Sequence, residues 1–364
     1  MLSLDLCAPR DLEATLDARG GFLWWYLELM SPSGNGLVLI WSFGLPFLPG
    51  LASAARRGQA SSPRSRPSLN VVVYENGHQV AYALREFSAS EVEWNGGGAW
   101  RFGSSQITAS EREVRASFDI DLPSETRLTG RVQVQGHAPP LPAGRPPAAL
   151  GPSLHQWTPL LTGAQGTAVV SVGGRQWAIA GHGYHDRNRS PLPLHTLGLE
   201  RWLWAHARHG DEDRIAYALW PRSGAPVALG LSVTPESSRW VDVSLEARRE
   251  HHHLYGMRTF ERVSWNQRGV PWLALNLDRC VDAGPFYLRY LDAGGSCELI
   301  EPDRIDRNRH RPLVEMRVTR PGKAPSLWAP LFQGALDRRP ERLGAYWRAK
   351  LVARLGHLLR GAPR

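Results

Sequence analysis

The chain has 364 residues, of which 42% are hydrophobic and 15 are tryptophan, and this composition predicts a folded protein of two domains. No run of about 18 apolar residues occurs, which argues against a transmembrane helix and for a soluble or peripheral protein. The net charge of +9 favours an anionic partner, but no zinc-finger spacing, RNP-type signature or helix-turn-helix pattern accompanies the arginines, so nucleic acid is not expected.

Most of the chain consists of short β-rich runs separated by clusters of Gly, Pro, Asn and Ser. These runs are residues 37–43, 69–74, 113–120, 127–135, 167–172, 214–219, 227–232 and 313–318. Regular alternation of strands with helices is absent, which argues against a doubly wound nucleotide-binding domain. The pattern therefore predicts an all-β protein built from barrels or sandwiches.

Helix is predicted in few places. One short helix is expected near residues 48–57, and the arginine-, serine- and proline-rich run 52–67 is predicted as a mobile basic connector. From Arg338 onward, leucines and Trp347 recur every three or four residues among arginines, which predicts a basic amphipathic helix over residues 334–364. Packing against the protein's own barrel and contact with a membrane surface are both open roles for it.

Two proline-rich segments are candidate boundaries. The segment 138–152 is either a linker or a long crossing inside the first domain. The run Ser190–Pro193 precedes a fresh series of strands from Leu199, so the predicted domains are residues 20–192 and 193–333.

The segment Gly181-His182-Gly183-Tyr184-His185-Asp186-Arg187-Asn188, with His155-Gln156-Trp157 upstream, places a carboxyl group beside aromatic rings. A carboxylic acid near π faces can protonate an alkene and shelter the cation that forms. The same residues also admit a structural interpretation. Asp186 and Asn188 can organise a tight turn, Trp157 and Tyr184 can be ordinary core, and His155 can be a satisfied structural histidine.

The sequence lacks the motifs of serine hydrolases, nucleotide-binding loops and metal sites. The sequence has no Gly-x-Ser-x-Gly elbow, no phosphate-cradling Gly-x-x-x-x-Gly-Lys loop and no metalloprotease histidine pair. The run His251–His253 is predicted as a surface loop, and the three cysteines lack metal-ligand spacing. Cofactor-free and metal-free chemistry is therefore expected. No signal-peptide pattern occurs in residues 1–20, so the expected location is the cytoplasm, with peripheral contact at the inner membrane as an extension.

A family resemblance rests on several strings in a fixed order. The chain resembles the bacterial carotenoid 1,2-hydratases, or hydroxyneurosporene synthases, over roughly residues 22–330. The strings are Trp24-Trp25-Tyr26-Leu27-Glu28, Leu69-Asn70-Val71-Val72-Val73-Tyr74, His155-x-Trp157, Gly181-His182-Gly183-Tyr184-x-Asp186-x-Asn188, Arg201-Trp202-Leu203-Trp204 and Gly284-Pro285-Phe286-Tyr287. The resemblance implies two lipocalin-like β-barrels packed together, with a ligand cavity near their junction.

The resemblance also implies roles for the central residues. Asp186 is expected to be the acid, with a pKa raised by burial, and Tyr184 and Trp157 are expected to stabilise a tertiary cation. His155 either hydrogen-bonds Asp186 or positions and deprotonates the attacking water, and the sequence leaves both roles open.

Four further aromatic residues are candidates for lining the substrate cavity, with core packing as the alternative. They are Trp25, Trp202, Trp204 and Tyr287.

The implied activity is that of a cofactor-independent hydro-lyase. It would add water across the terminal double bond of an acyclic carotenoid such as neurosporene or lycopene, so a hydrophobic isoprenoid or polyene is the expected partner. A terpenoid cyclase or pericyclase on the same scaffold is the first alternative. A non-catalytic carrier of hydrophobic ligands is the second, because barrels of this kind can hold apolar molecules unchanged.

Overall fold

The computed structural model describes residues 2–4, 10–48, 50–94, 98–122, 127–140, 142–143, 155–253, 256–283, 286–292, 295–305 and 318–319. The α-helices within these ranges are α1 (Arg10–Asp17) and α2 (Leu51–Arg56), and single 3-10 turns lie at Pro63–Ser65, Ala89–Glu91, Leu194–Thr196 and Pro302–Arg304. No helix in this part of the chain is long and apolar enough to cross a bilayer.

The first sheet takes thirteen strands from the described residues. They are β1 (Leu2–Leu4), β2 (Phe22–Met30), β3 (Gly36–Phe43), β4 (Pro67–Glu75), β5 (His78–Glu86), β6 (Val92–Trp94), β7 (Ala99–Phe102), β8 (Ser105–Ala109), β9 (Glu113–Asp121), β10 (Arg127–His137), β11 (His155–Val172), β12 (Arg175–Ser190) and β23 (Val318–Thr319). Their order is β23-β5-β4-β3-β2-β12-β11-β10-β9-β8-β7-β6, with β1 beside β11. The long hairpin β11–β12 therefore lies in the middle of a sheet that curls into a half-barrel.

Two smaller sheets follow along the chain. The strands are β13 (Leu199–His209), β14 (Glu212–Pro221), β15 (Val227–Val233), β16 (Ser238–Val241), β17 (Ser244–His252), β18 (Arg258–Gln267), β19 (Val270–Asn276), β20 (Cys280–Ala283), β21 (Tyr287–Asp292) and β22 (Gly295–Ile300). The second sheet has the order β16-β15-β14-β13-β22-β21-β20, and the third has the order β17-β18-β19. The second sheet thus begins at Leu199, a few residues beyond the expected boundary at 192/193.

Period-two alternation along the strands divides the apolar side chains into three groups. One group fills the interior of the first sheet, and another lies between the second and third sheets. The remaining group, which we call the intersheet layer, joins the outer face of the first sheet to the second sheet. Its main members are Phe22, Trp24, Tyr26, Val38, Val72, Tyr74, Leu84, Trp157, Tyr184, Trp202, Trp204, Ile215, Tyr217, Leu219, Leu229, Leu231 and Ile300.

The predicted all-β class is confirmed. Seven of the eight predicted strand runs coincide with observed strands, and the eighth, 313–318, lies outside the described residues apart from Val318. The helix expected near residues 48–57 is α2. The amphipathic helix predicted for residues 334–364 lies outside the described residues.

Two local predictions need correction. The run 52–67, predicted as a connector, contains most of α2, a 3-10 turn and the first residue of β4. His251 and His252, predicted in a loop, end strand β17 as exposed residues. In both places, pairing and packing with neighbouring elements override the local composition.

Candidate active site

The central motif lies on a strand, so the interpretation of Asp186 and Asn188 as a tight turn is wrong. Both are interior to β12, which pairs with β2 on one side and with β11 on the other. Because side chains alternate along a strand, Tyr184, Asp186 and Asn188 share one face. That face also carries Tyr26, opposite Asp186 on β2, and it points into the intersheet layer.

The two glycines of the motif allow β12 to approach its neighbours closely. A Cβ at Gly181 would lie 2.1 Å from the carbonyl oxygen of Met30, which is less than any real contact allows. A Cβ at Gly183 would lie 2.4 Å from a methyl group of Val134 on β10. The Gly-x-Gly spacing therefore serves strand packing just before Tyr184, Asp186 and Asn188.

Asp186 is only 3% exposed and is held by three donors. Its Oδ2 accepts hydrogen bonds from the Trp157 Nε1 at 2.9 Å and from the Tyr184 hydroxyl at 2.9 Å. Its Oδ1 accepts one from the Asn188 Nδ2 at 3.0 Å. Burial raises the pKa of Asp186 to about 8, against the hydrogen bonds from Trp157 and Tyr184, which lower it. The carboxyl group is therefore mainly protonated at neutral pH.

His155 reaches the acid through an intermediate residue. Its Nε2 lies 2.9 Å from the Asn188 Oδ1, and Asn188 in turn bonds Asp186. Burial lowers the pKa of His155 to about 4, against the hydrogen bond with Asn188, so the imidazole is neutral at pH 7. Its ring lies 5.3 Å from Trp202 and 5.9 Å from Trp24, measured between centroids.

Of the aromatic candidates, Trp202 and Trp204 join the acid's surroundings. The Trp204 ring lies 5.4 Å from Tyr184 and 5.5 Å from Tyr26. Its indole N–H is buried and has no hydrogen-bond partner among the residues that the structure describes. Trp157, besides bonding Asp186, packs its ring 5.2 Å from Tyr217, which the sequence did not single out.

Trp25 and Tyr287 are placed differently. Trp25 points to the opposite face of β2, where its ring lies 4.1 Å from Trp100 inside the first sheet. The structure does not bring it to Asp186. The Tyr287 hydroxyl donates to Glu298 at 3.1 Å at the edge of the intersheet layer, while Gly284 and Pro285 of the same string lie outside the described residues.

Sequence reasoning missed a buried polar group beside the acid, centred on Glu28 of β2. Glu28 accepts hydrogen bonds from Tyr26 at 2.9 Å, from Arg289 at 2.6 Å and from the His206 Nδ1 at 2.9 Å. Arg289 is fully buried and also pairs with Glu298. The sequence did contain one sign of it, because Trp24, Tyr26 and Glu28 alternate along β2 and therefore share a face. The partners of Glu28, however, come from strands that are distant in the sequence.

The charges in this group stabilise one another. Burial alone would raise the pKa of Glu28, but His206, Arg289 and Tyr26 outweigh it and lower the pKa to about 2. Burial alone would lower the pKa of His206, but Asp213 and Glu28 raise it to about 9. A charged imidazole therefore lies against Tyr184, with the ring centroids 4.7 Å apart.

Another buried carboxyl group with a raised pKa, that of Asp282, lies on β20. Asp282 lines a cavity of about 1300 Å³ between β17, β18, β20 and β21. Burial raises its pKa to about 7, against the charge of Arg289. Its Oδ2 accepts a hydrogen bond at 3.5 Å from the hydroxyl of Tyr74, which belongs to the intersheet layer. Within the described ranges, Asp282 has the Tyr74 phenol as a donor but no indole donor like the one that Trp157 gives to Asp186.

The fold and the site together define an all-β protein of two packed sheet units that holds a neutral carboxylic acid in an aromatic layer between them. The family model described as carotenoid hydratase CrtC matches residues 40–320, and the chain belongs to this family. The expected family is thereby confirmed.

The named relatives are similar at modest identity. The chain is 28% identical over 227 residues to an acyclic carotenoid 1,2-hydratase of Thiocapsa roseopersicina, a match that covers 58% of this chain and 51% of that protein. It is 25% identical over 357 residues to a hydroxyneurosporene dehydrogenase of Chlorobaculum tepidum, covering 86% and 91%. The chain thus spans about half the length of the named hydratase and nearly all of the named dehydrogenase.

A solved structure shares the fold. A putative AttH from Nitrosomonas europaea superposes with a TM-score of 0.53 at 13% identity, covering 82% of this chain and 97% of that one. This likeness confirms the expected lipocalin-like architecture and says nothing about substrate.

Proposed function

We propose that the protein hydrates the terminal double bond of an acyclic carotenoid of the neurosporene or lycopene type, without a cofactor. The observation that carries the proposal is the protonated, buried Asp186 held between an indole and a phenol. Membership of the carotenoid hydratase family supplies the substrate class.

The first step is transfer of the Asp186 proton to the alkene carbon, which leaves a tertiary cation and a carboxylate. Trp157, Tyr184 and Asn188 already donate to that carboxyl group, and hydrogen bonds to an ionised acceptor are stronger than bonds to a neutral one. The three donors therefore stabilise the state after proton transfer more than the state before it, which is what catalysis requires.

The cation needs neighbours that do not trap it. Trp157 and Tyr184 contact the acid, and the Trp204 ring packs 5.4 Å from Tyr184. An aromatic face contributes roughly 1 to 2 kcal/mol to a desolvated cation. The intersheet layer that contains them is buried, so bulk water does not compete for the cation.

The attacking water needs at least one polar anchor. The buried indole N–H of Trp204, which lacks a partner in the described part of the chain, can donate to that water. A buried donor left unsatisfied costs about 1–3 kcal/mol, so a bound water or product hydroxyl at this position is favourable. Capture of the tertiary centre then gives a tertiary alcohol.

An acyclic carotenoid dissolves in membranes rather than in water, so the proposal includes peripheral contact with the inner membrane. The segment expected to make that contact, residues 334–364, lies outside the described residues.

The test is incubation of the purified protein with lycopene or neurosporene in liposomes made in ¹⁸O-labelled water, followed by mass spectrometry. We expect a labelled tertiary alcohol, and we expect Asp186→Asn to abolish it while substrate binding persists. The matched control is Asp282→Asn, which removes another buried carboxyl group with a raised pKa and is expected to keep turnover. A product of unchanged mass would instead indicate a cyclase, and tight binding with no product would indicate a carrier.

A further inference from the structure

We infer that Asn188 and His155 are positioning residues that fix the transferable proton of Asp186 on Oδ1 and aim it at the alkene. This inference rests on the proposed function and assigns the role of His155 that the sequence leaves open. It follows from which lone-pair directions of the two Asp186 carboxyl oxygens already receive a hydrogen-bond donor.

The Oδ2 atom of Asp186 has no free lone-pair direction for the proton that is transferred to the substrate. A carboxyl oxygen offers two lone-pair directions, and on Oδ2 both receive donors, namely the Trp157 Nε1–H and the Tyr184 O–H. The Trp157 Nε1 also lies 3.2 Å from the Tyr184 oxygen, so the two donors form a closed triangle with Oδ2.

The Oδ1 atom has one position left. Asn188 donates its Nδ2–H to Oδ1 at 3.0 Å and occupies one of the two lone-pair directions. The acidic proton of the neutral carboxyl group therefore lies in the other direction on Oδ1. Loss of the Asn188 donor would give the proton two positions and would free the carboxyl plane to rotate.

His155 fixes the orientation of the Asn188 amide. Because Asn188 turns its Nδ2 toward Asp186, its Oδ1 faces the His155 Nε2 and must accept. The Nε2 of His155 therefore carries a proton and donates it at 2.9 Å, which sets the tautomer of the ring. The burial that keeps His155 neutral is consistent with this assignment.

The proton balance then needs no second base. Asp186 gives its proton to carbon as the π bond breaks, and water adds to the cation to form a C–O bond. The resulting oxonium returns one proton to the Asp186 carboxylate, which restores the acid. The net change is one water added per alkene.

The closing experiment compares two substitutions of His155 in the full chain. His155→Gln keeps an amide N–H that can donate to Asn188, whereas His155→Leu keeps neither a donor nor a base. We expect His155→Leu to lower kcat on the order of 100-fold with little change in KM, because misaligned groups cost about that much. We expect His155→Gln to recover most of the loss.

The control is His185→Leu, at the position just before Asp186 on β12. His185 is also buried and neutral, with a pKa lowered to about 4 by burial, but it bonds the backbone oxygen of Tyr26 on the other face. This variant reports the general effect of emptying a buried imidazole site, and we expect it to keep kcat.

A second readout covers the case in which a variant folds poorly. If His155 acts through Asn188, the double variant His155→Leu, Asn188→Leu loses no more kcat than Asn188→Leu alone. Additive losses, or a His155→Gln variant as inactive as His155→Leu, would show that His155 acts as a base and would overturn the inference. These outcomes are read from the variants while the wild type still hydrates its substrate. If the proposed function is wrong, the wild type itself shows no hydration.

Discussion

The pKa of Asp186 is a balance between opposing effects. Burial raises it to about 8, and hydrogen bonds from Trp157 and Tyr184 limit the rise. An acid that protonates carbon must hold its proton at neutral pH yet release it in the transition state, and a pKa near the working pH meets both needs. Burial also shifts the pKa of His155 and of Asp282, so a shifted pKa does not by itself identify the acid.

The pH dependence of kcat tests this balance. Because the protonated form of Asp186 is the active one, kcat should be constant at lower pH and fall as the pH rises through about 8. Tyr184→Phe removes a donor that lowers the pKa, so the falling limb should move to higher pH, together with a lower plateau. Loss of turnover in Asp282→Asn, with turnover and the falling limb kept in Asp186→Asn, would instead assign the acid role to Asp282.

Strand β12 is the element that links packing to chemistry. Its first half packs against β2 and β10 through Gly181 and Gly183, and its second half presents Tyr184, Asp186 and Asn188 to the intersheet layer. Since a one-residue slip would turn all three side chains to the other face, the register with β2 must be fixed. The absence of a Cβ at Gly181 helps to fix it.

Substitution of the glycines tests this role. Gly181→Ala places a Cβ against the Met30 backbone oxygen, which cannot rotate away, so we expect a loss of about 1–3 kcal/mol in the free energy of unfolding. Gly183→Ala meets a methyl of Val134, which can move, so its loss should be smaller. Equilibrium urea unfolding of both variants gives the comparison, and equal losses would contradict the backbone explanation.

At the scale of the whole molecule, the intersheet layer packs the first sheet against the second and also contains the candidate site. It combines apolar packing with a buried charge group in which Glu28 of the first sheet meets Arg289 and His206 of the second. Such charges are tolerated only because each is paired, and the pairing fixes how the two sheets face each other. The position of Tyr184 and Asp186 relative to Trp204 depends on that docking.

Removal of one partner of a buried ion pair should therefore lower the free energy of unfolding more than removal of both partners. Arg289→Met leaves Glu28 and Glu298 buried without their shared cation, and we expect a loss of about 3–5 kcal/mol in the free energy of unfolding. Adding Glu28→Gln should recover part of it. Urea denaturation at constant pH measures both, and a double variant less stable than Arg289→Met alone would contradict this pairing.

The amino-acid sequence determined the class of the fold and which neighbouring side chains share a face in the candidate site. Short β-rich runs with turn residues between them specify strands because period-two burial and turn chemistry are local properties, and seven of the eight predicted runs are strands. The pairing of Tyr184 with Asp186 and of His155 with Trp157 was also readable, because residues two apart on a strand share a face.

Only the tertiary structure decided the rest. Trp25, predicted to line the substrate cavity, lies inside the first sheet, since a family string does not show which face of a strand a side chain takes. Glu28, His206 and Arg289 come together from strands up to 261 residues apart, a contact that no local pattern encodes. Whether Asp186 is an acid at all depends on its burial between two sheets, because desolvation is a property of the folded surroundings and not of the residue.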